Sequence, residues 1–330
     1  MSAYIARRIL YALILIFFVS IISFVIIQSP PGDFASAYVA QMSQSLSEER
    51  KSEIMESLRE RYGLGQPIYK QYFNWITGIL TEADFGMSLN WSRPVKPLIM
   101  ERIPLTLMIG MITLFSQYII AIPIGIYSAV KQHTIGDYIF TFLAFIGRSI
   151  PNFLLALVVM VFLFTVFGFS IGGLFSPEFR EAPWSFAKFV DMLRHLVVPV
   201  IVIGTARTAG TVRILRATML DELGKDYMQT ARAKGLPEWK LILKYPTRVA
   251  MNPIISSMGW QLPRIISGAL IVSLVVNLPT TGPLLYQALL SQDMYLAGAI
   301  LLILSIFTIL GTIVSDVLLA ISDPRITYEE

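Results

Sequence analysis

Residues 9–27 read ILYALILIFFVSIISFVII, nineteen positions without a charge, fifteen of them Leu, Ile, Val or Phe. A helix of that length rises far enough to cross roughly 30 Å of hydrocarbon. At roughly −0.3 to −0.6 kcal/mol per apolar side chain, insertion gains about 5 to 9 kcal/mol. Arg7 and Arg8 precede the run, as they would in a secretory signal. The run is too long for a signal core, however, and no A-x-A cleavage pattern follows it. It is read as a retained membrane helix.

The remainder of the 330 residues agrees. Hydrophobic side chains make up 55% and charged ones 15%, against about 25% charged in an ordinary soluble domain. Such a chain is too apolar for disorder. Its apolar runs are continuous rather than alternating, so helices are expected and a barrel is not. There are no cysteines and only two histidines, His133 and His195. That removes disulfide scaffolds, thiol nucleophiles and Cys-ligated metals, and no metal site is expected. Further runs at 103–130, 138–174, 196–206, 249–278 and 295–321 bring the expected spans to six. The third is interrupted by Arg148 and Pro151 and is either a surface helix followed by a span or one kinked helix. The fourth is weak. Its seven Leu, Ile and Val residues gain about 2 to 4 kcal/mol, whereas Arg207 near mid-membrane costs about 2.5 to 3.5 kcal/mol. It is expected inside the bundle.

Basic residues set the orientation. Arg7, Arg8 and Lys131, with eight Lys or Arg against four acids in 213–248, fall on one side of a six-span chain. The positive-inside rule makes that side cytoplasmic, together with both termini. The net charge of +4 reflects this bias, and no nucleic-acid partner is expected. The chain divides into a cytoplasmic start and first span (1–28), an extracytoplasmic segment with short helices (29–102) and a core of five spans (103–330). The core includes the 213–248 loop and a cytoplasmic tail, 322–330.

Within the external segment, Pro30-Pro31-Gly32-Asp33 marks a turn. Ser47 is the expected N-cap of a helix that ends at Tyr62-Gly63-Leu64-Gly65. Pro67 to Leu80 reads as an aromatic-rich helix, either a cap on the membrane face or a docking surface for an external partner. In the cytoplasmic loop, Met219 to Lys234 reads as one helix, acids first and bases last. Gly235-Leu236-Pro237 breaks it, and Pro237 starts a second helix through Tyr245. Leu241, Ile242 and Tyr245 share a face with nothing in the short loops to cover it. That suits a groove on a soluble partner; the alternative is a hairpin lying on the membrane surface.

The stretch Asp226-Tyr227-Met228-Gln229-Thr230-Ala231-Arg232-Ala233-Lys234-Gly235-Leu236 resembles the ATPase-coupling segment of ABC importer permeases. The likeness is greatest to the oligopeptide/dipeptide/nickel family, and within it to the first permease subunit of the pair. It covers nearly the whole chain: Tyr4-Ile5 with Arg7-Arg8, Pro31-Gly32-Asp33, Tyr62-Gly63-Leu64, Asp84-Phe85-Gly86-Met87-Ser88, Arg102-Ile103-Pro104-Leu105-Thr106-Leu107, Ser149-Ile150-Pro151-Asn152-Phe153, His195-Leu196 with Pro199, Arg213 with Arg216, and Asp323-Pro324-Arg325-Ile326. The resemblance implies an all-α, six-helix transmembrane bundle of the type I importer class, in a bacterial or archaeal cytoplasmic membrane. It implies a second homologous permease, two cytoplasmic ATPase subunits and an external substrate-binding protein as partners, beside membrane lipid. The solutes implied are peptides, oligosaccharides or nickel complexes. Asp226, Tyr227, Thr230, Ala231, Ala233, Lys234, Gly235 and Leu236 would carry the coupling. ATP and Mg would sit on the partner ATPases, in keeping with the lack of a G-x-x-x-x-G-K-[ST] loop in this chain. No residue is expected to perform covalent catalysis.

The sequence departs from the family in places. Gln229-Thr230-Ala231 stands for Glu-Ala-Ala, Ser273 for an acid, Pro279-Thr280-Thr281-Gly282 for Pro-Gly-Leu-Gly, and Tyr245 and Val249 for His and Asn. Arg207, Trp260, Gln261, Arg264 and Ser267 are candidate pathway-lining residues. The plainer readings are snorkelling or pairing with Asp316 for the arginines, and helix–helix hydrogen bonding for the others. Gly168 and Gly172 read as a packing motif, His195 as structural, and Pro123, Pro151, Pro199, Pro253 and Pro263 as kinks. The competing function is a stand-alone secondary carrier or channel. That would call for coupling acids within the spans and inverted repeats; Asp316 is the one candidate acid, and no repeat is visible.

Overall fold

The computed structural model describes residues 2–28, 39, 47–62, 65–169 and 172–322. The expected turn at Pro30–Asp33, the Gly63-Leu64 stop and the Asp323–Ile326 ending lie outside them. The described residues are helical throughout, apart from loops, one short 3₁₀ turn and an isolated bridge from Met87 to Pro94. Two compact units emerge: Met1–Ile9 with Leu105–Gly282 and Phe307–Glu330, and Leu10–Pro104 with Pro283–Ile306.

In the second unit, α1 (Ser2–Ile27) enters beside α2 (Glu48–Tyr62), α3 (Ile68–Glu82) and the one-turn α4 (Val95–Met100). Ser47 caps α2 as expected, accepting the Arg50 N–H at 3.4 Å. The aromatic helix α3 is split by burial. Tyr72 and Trp75 enter the core, while Tyr69 and Phe73 stay exposed. Phe24 meets Tyr72 edge-on at 5.6 Å and Trp75 at 5.7 Å, and the hydroxyls of Ser20 and Tyr72 lie 2.7 Å apart. The apolar stripe of α3 is thus satisfied by α1. Asp293 is fully buried. Its carboxylate accepts the Ser88 hydroxyl, the Asn90 N–H at 3.1 Å and the Leu296 N–H at 3.3 Å, and so caps the last helix.

In the first unit lie most of α5 (Ile103–Val130), α6 (Ile135–Ser149), α7 (Asn152–Phe167), α8 (Phe186–Leu223), α9 (Asp226–Ala233), α10 (Glu238–Lys244), α11 (Pro246–Ala250) and α12 (Asn252–Val276). The chain then passes through α13 (Thr281–Leu290) and α14 (Met294–Ser322). Three stretches among the described residues are long and apolar enough to cross a membrane: Ala6–Ile27, Val95–Val130 and Met294–Leu318. Two further candidates are bent pairs, α6 with α7 at 108° and Leu270–Val276 with α13 at 94°. The third expected run is therefore two helices, broken where Pro151 lacks an N–H and keeps Ile150 extended.

The fourth expected span proves to be the middle of α8, 38 residues long and continuous through Pro199. At 1.5 Å per residue α8 rises about 57 Å. Leu196, Val198, Val202 and Ile203 are buried and Val197 and Ile201 exposed, so one face packs, as its weak insertion energy required. Two expectations change. Gly168 and Gly172 are not a packing motif. Gly168 ends α7 in the left-handed region (φ 68°), and a Cβ at either glycine would meet nothing within 4 Å. Pro253 sits in the first turn of α12 and starts it rather than kinking it. Asp316 pairs with Arg8 at 3.4 Å.

Candidate coupling hairpin and polar seam

The segment 219–234 is not one helix. α8 stops at Leu223, Gly224 caps it, and Lys225 turns extended (φ −79°, ψ 151°) so that a new helix starts at Asp226. Glycine is a poor helix interior residue, and Glu222 holds the break from one side. Its carboxylate accepts the Lys225 ammonium at 2.5 Å and the Tyr227 hydroxyl at 2.7 Å. Burial pushes the Glu222 carboxyl up, but those two hydrogen bonds outweigh it and hold the group below the usual carboxylate range. Burial, and then donation to Glu222, pushes the Tyr227 phenol well above its ordinary value.

At the tip, Gly235 has φ +74°, and a Cβ there would meet nothing within 4 Å. The left-handed backbone, not crowding, calls for glycine. Pro237 is the extended cap residue of α10, not its first helical residue. Arg232 spans the turn to Glu238, with Nη2 at 2.7 Å and Nε at 3.3 Å. This ion pair raises the arginine and lowers the carboxyl.

The face expected to lie bare is filled from within. Leu241 is fully buried against Met228 and Ala231, with Leu223, Tyr227, Leu236 and Tyr245 around them. Ile242 joins a separate cluster with Leu215, Met219 and Ile254, which anchors the hairpin base. The exposed surface carries Asp226, Thr230, Ala233, Lys234 and Gly235, with Tyr227 and Leu236 half-buried. Trp239 (62% exposed) and Leu243 (55%) stand one turn apart on the opposite side of α10. Sequence reasoning passed over these two. The helical spacing that groups Leu241, Ile242 and Tyr245 puts 239 and 243 on the far side.

The candidate pathway residues lie on two helices. Arg207 is half-buried on α8, and α12 carries Trp260, Gln261, Arg264 and Ser267. The side chains of Trp260, Arg264 and Ser267 lie outside the described ones. Gln261 Nε2 donates to the Tyr118 hydroxyl at 3.0 Å and to Ser257 Oγ at 3.2 Å, while its Oε1 is buried without a partner among the described residues. Arg207 is close enough to Tyr118 to interact with it electrostatically. One turn further along α8, Thr211 accepts from Gln117 at 2.8 Å. Gln117, Tyr118 and Thr211 therefore extend the seam; an amide inside the apolar run 103–130 was its one visible signal. At the departed turn, Asn277 closes α12 in the left-handed region (φ 57°), and the Thr281 N–H reaches Thr106 Oγ1 at 2.9 Å. Among the described residues no group of three His, Cys, Asp or Glu is placed to hold a metal.

Long apolar helices, a polar seam between them and a helix–turn–helix after α8 fit the class of integral-membrane permeases. Residues 1–110 match the family described as "Binding-prot-dependent transport system membrane comp, N-term", and residues 121–328 match "Binding-protein-dependent transport system inner membrane component"; the chain belongs to this family. It is 35% identical over 332 residues to the oligopeptide transport system permease protein AppB of Bacillus subtilis (strain 168), covering 99% of this chain and 100% of that one. It is 31% identical over 329 residues to the glutathione transport system permease protein GsiC of Escherichia coli (strain K12), covering both in full. The inward-facing MetNI methionine ABC transporter shares its fold, with TM-score 0.52 and 17% identity over 68% of this chain and 96% of that one. The protein is thus a transmembrane permease subunit of a binding-protein-dependent ABC importer, with the type I fold. The stand-alone carrier or channel reading gives way to it.

Proposed function

We propose that this permease forms half of an import pathway for peptides or closely related solutes, driven by ATP hydrolysis on separate subunits. The relatives named for oligopeptide and glutathione transport support the solute class. In this reading a second homologous permease completes the pathway. Two cytoplasmic ATPases bind ATP and Mg, and an extracytoplasmic binding protein delivers the solute. The hairpin α9–α10 is the mechanical link. Asp226, Thr230, Ala233, Lys234 and Gly235, with Trp239 and Leu243, are the surface an ATPase groove would take. Tyr227, Ala231 and Leu236 hold that surface in shape from behind. The observation that carries this is the burial pattern: the hairpin has a complete small core of its own and still exposes a tryptophan and a leucine. Large apolar side chains left outside a finished core suit a partner groove. Movement of the ATPases would pass through α8, which runs unbroken from the hairpin into the spans. Arg207, Gln261, Trp260, Arg264 and Ser267 are the groups proposed to meet the solute, with Gln117, Tyr118 and Thr211 buried behind them as the hydrogen-bonded seam.

The test is Ala233→Trp. The position is exposed, so the substitution blocks the groove without filling the hairpin core. The variant should reach the membrane at wild-type level, lose its co-purifying ATPases and lose peptide uptake. Normal uptake with the ATPases still bound would overturn the assignment.

A further inference from the structure

A groove between α6 and α8 encloses about 220 Å³ and is lined by three arginines, Arg148, Arg213 and Arg216, among small and apolar side chains. The two helices run close together. A Cβ on Gly147 would lie 2.6 Å from Thr205 Cγ2, and one on Gly210 would lie 4.0 Å from Arg148 Nη1. The arginines are not equivalent. Arg216 is forked onto Asp137, Nε to Oδ1 at 2.9 Å and Nη2 to Oδ2 at 2.8 Å. Asp137 is buried and also accepts the His133 N–H and the Thr141 hydroxyl, so its capacity is taken. Arg148 and Arg213 have no hydrogen-bond or ion-pair partner among the described residues.

Two guanidiniums converge on one groove with no counter-charge. Both side chains are exposed and so open to an oxyanion from outside the fold, and the guanidinium fork matches phosphate oxygens in pairs. The surroundings indicate which oxyanion. Phe145 lines the groove, and one and two turns back along its stripe Phe142 and Tyr138 are 65% and 60% exposed. Ile139 and Ile146 beside them are exposed too. A charged pocket continuous with a bare apolar helix face suits a molecule with a phosphate at one end and acyl chains at the other. We propose that the α6–α8 groove binds the phosphate of an anionic phospholipid through Arg148 and Arg213, with the acyl chains along the Tyr138–Phe142–Phe145 stripe.

The experiment uses the assembled transporter in nanodiscs of phosphatidylcholine alone or of an equal mixture with phosphatidylglycerol. Phosphatidylglycerol retained after extraction is titrated by native mass spectrometry. At about fivefold per basic residue, Arg148→Gln with Arg213→Gln should weaken retention about 25-fold. Ala144→Leu, at a lining position, keeps every charge but fills the groove and should also weaken it. If the glutamine pair does not assemble, Arg148→Lys with Arg213→Lys keeps the charge and loses the fork, and retention must still fall. Unchanged retention in the assembled variants overturns the proposal. So does a glutamine pair that retains the lipid normally yet loses peptide-stimulated ATP hydrolysis in phosphatidylcholine discs, because the groove would then read a peptide carboxylate.

Discussion

Gly235 shows how one residue sets the shape of the hairpin tip. It sits at φ +74° with open space around it, so any cost of replacement is conformational. An L side chain in that region costs about 1 to 2 kcal/mol; asparagine tolerates it better than a β-branched residue does. Gly235→Val should therefore loosen the tip more than Gly235→Asn. Tryptic cleavage at the adjacent, exposed Lys234 should rise in the order wild type, Asn, Val; equal rates in all three would contradict the account. This position was legible in the sequence, because Gly-Leu-Pro is a local breaker. Glu222 was not. Its bond to Tyr227 exists because the chain breaks at Gly224; on a uniform helix through 219–234 Lys225, three residues on, would still face Glu222, but Tyr227, five on, would point elsewhere. The contact between Tyr118 and Gln261 joins residues 143 apart, and nothing local foretells it.

At the scale of elements, the hairpin stands on a core of three buried side chains and their half-buried neighbours. Truncating a fully buried leucine or methionine costs about 2 to 5 kcal/mol, a large share of what so small a core can hold. Leu241→Ala should open the hairpin, so that proteolysis across 226–244 accelerates and ATPase co-purification falls. Trp239→Ala should reduce co-purification while leaving the hairpin protease-resistant, because the tryptophan is exposed and supports nothing beneath it. If both variants leave proteolysis unchanged, the small core is not what holds the hairpin. The two-helix plan and the identity of its apolar residues were legible from periodicity and the Gly-Leu-Pro break, but those residues were expected on the outside. Periodicity marks which residues share a face; whether α9 or a partner covers that face is a tertiary matter. The same limit governs the α6–α7 bend. Pro151 announced an interruption, whereas an angle of 108° is set by packing along α8, and Gly147 reveals its role only once Thr205 lies opposite.

For the whole molecule, the distribution of Lys and Arg orders the segments across the bilayer. The first basic pair, Lys131 and the eight cations of 213–248 fall on one side if the bent pair α6–α7 counts as a single crossing and α8 as another. Insertion thermodynamics favours keeping that side cytoplasmic. Apolar composition made the membrane class legible from the first run of nineteen residues. The number of crossings was less so, because α8 mixes a weak apolar middle with a charged end and α12 ends in a second bend. The absence of cysteine from the sequence offers a clean background for a direct test. A cysteine at exposed Glu82, at the end of α3, should react with a membrane-impermeant maleimide in intact cells. One at exposed Lys240, on the hairpin, should react only after permeabilisation. Glu181→Cys, in the loop before α8 and also exposed, should follow Glu82, since α8 carries the chain from that side to the hairpin. The reverse pattern would put the hairpin outside the cell, out of reach of ATP, and the coupling role proposed for it would fall with the orientation. Labelling of Glu82 and Lys240 from the same side would instead show that the bent pair between them, α6–α7, re-enters the membrane and does not cross it.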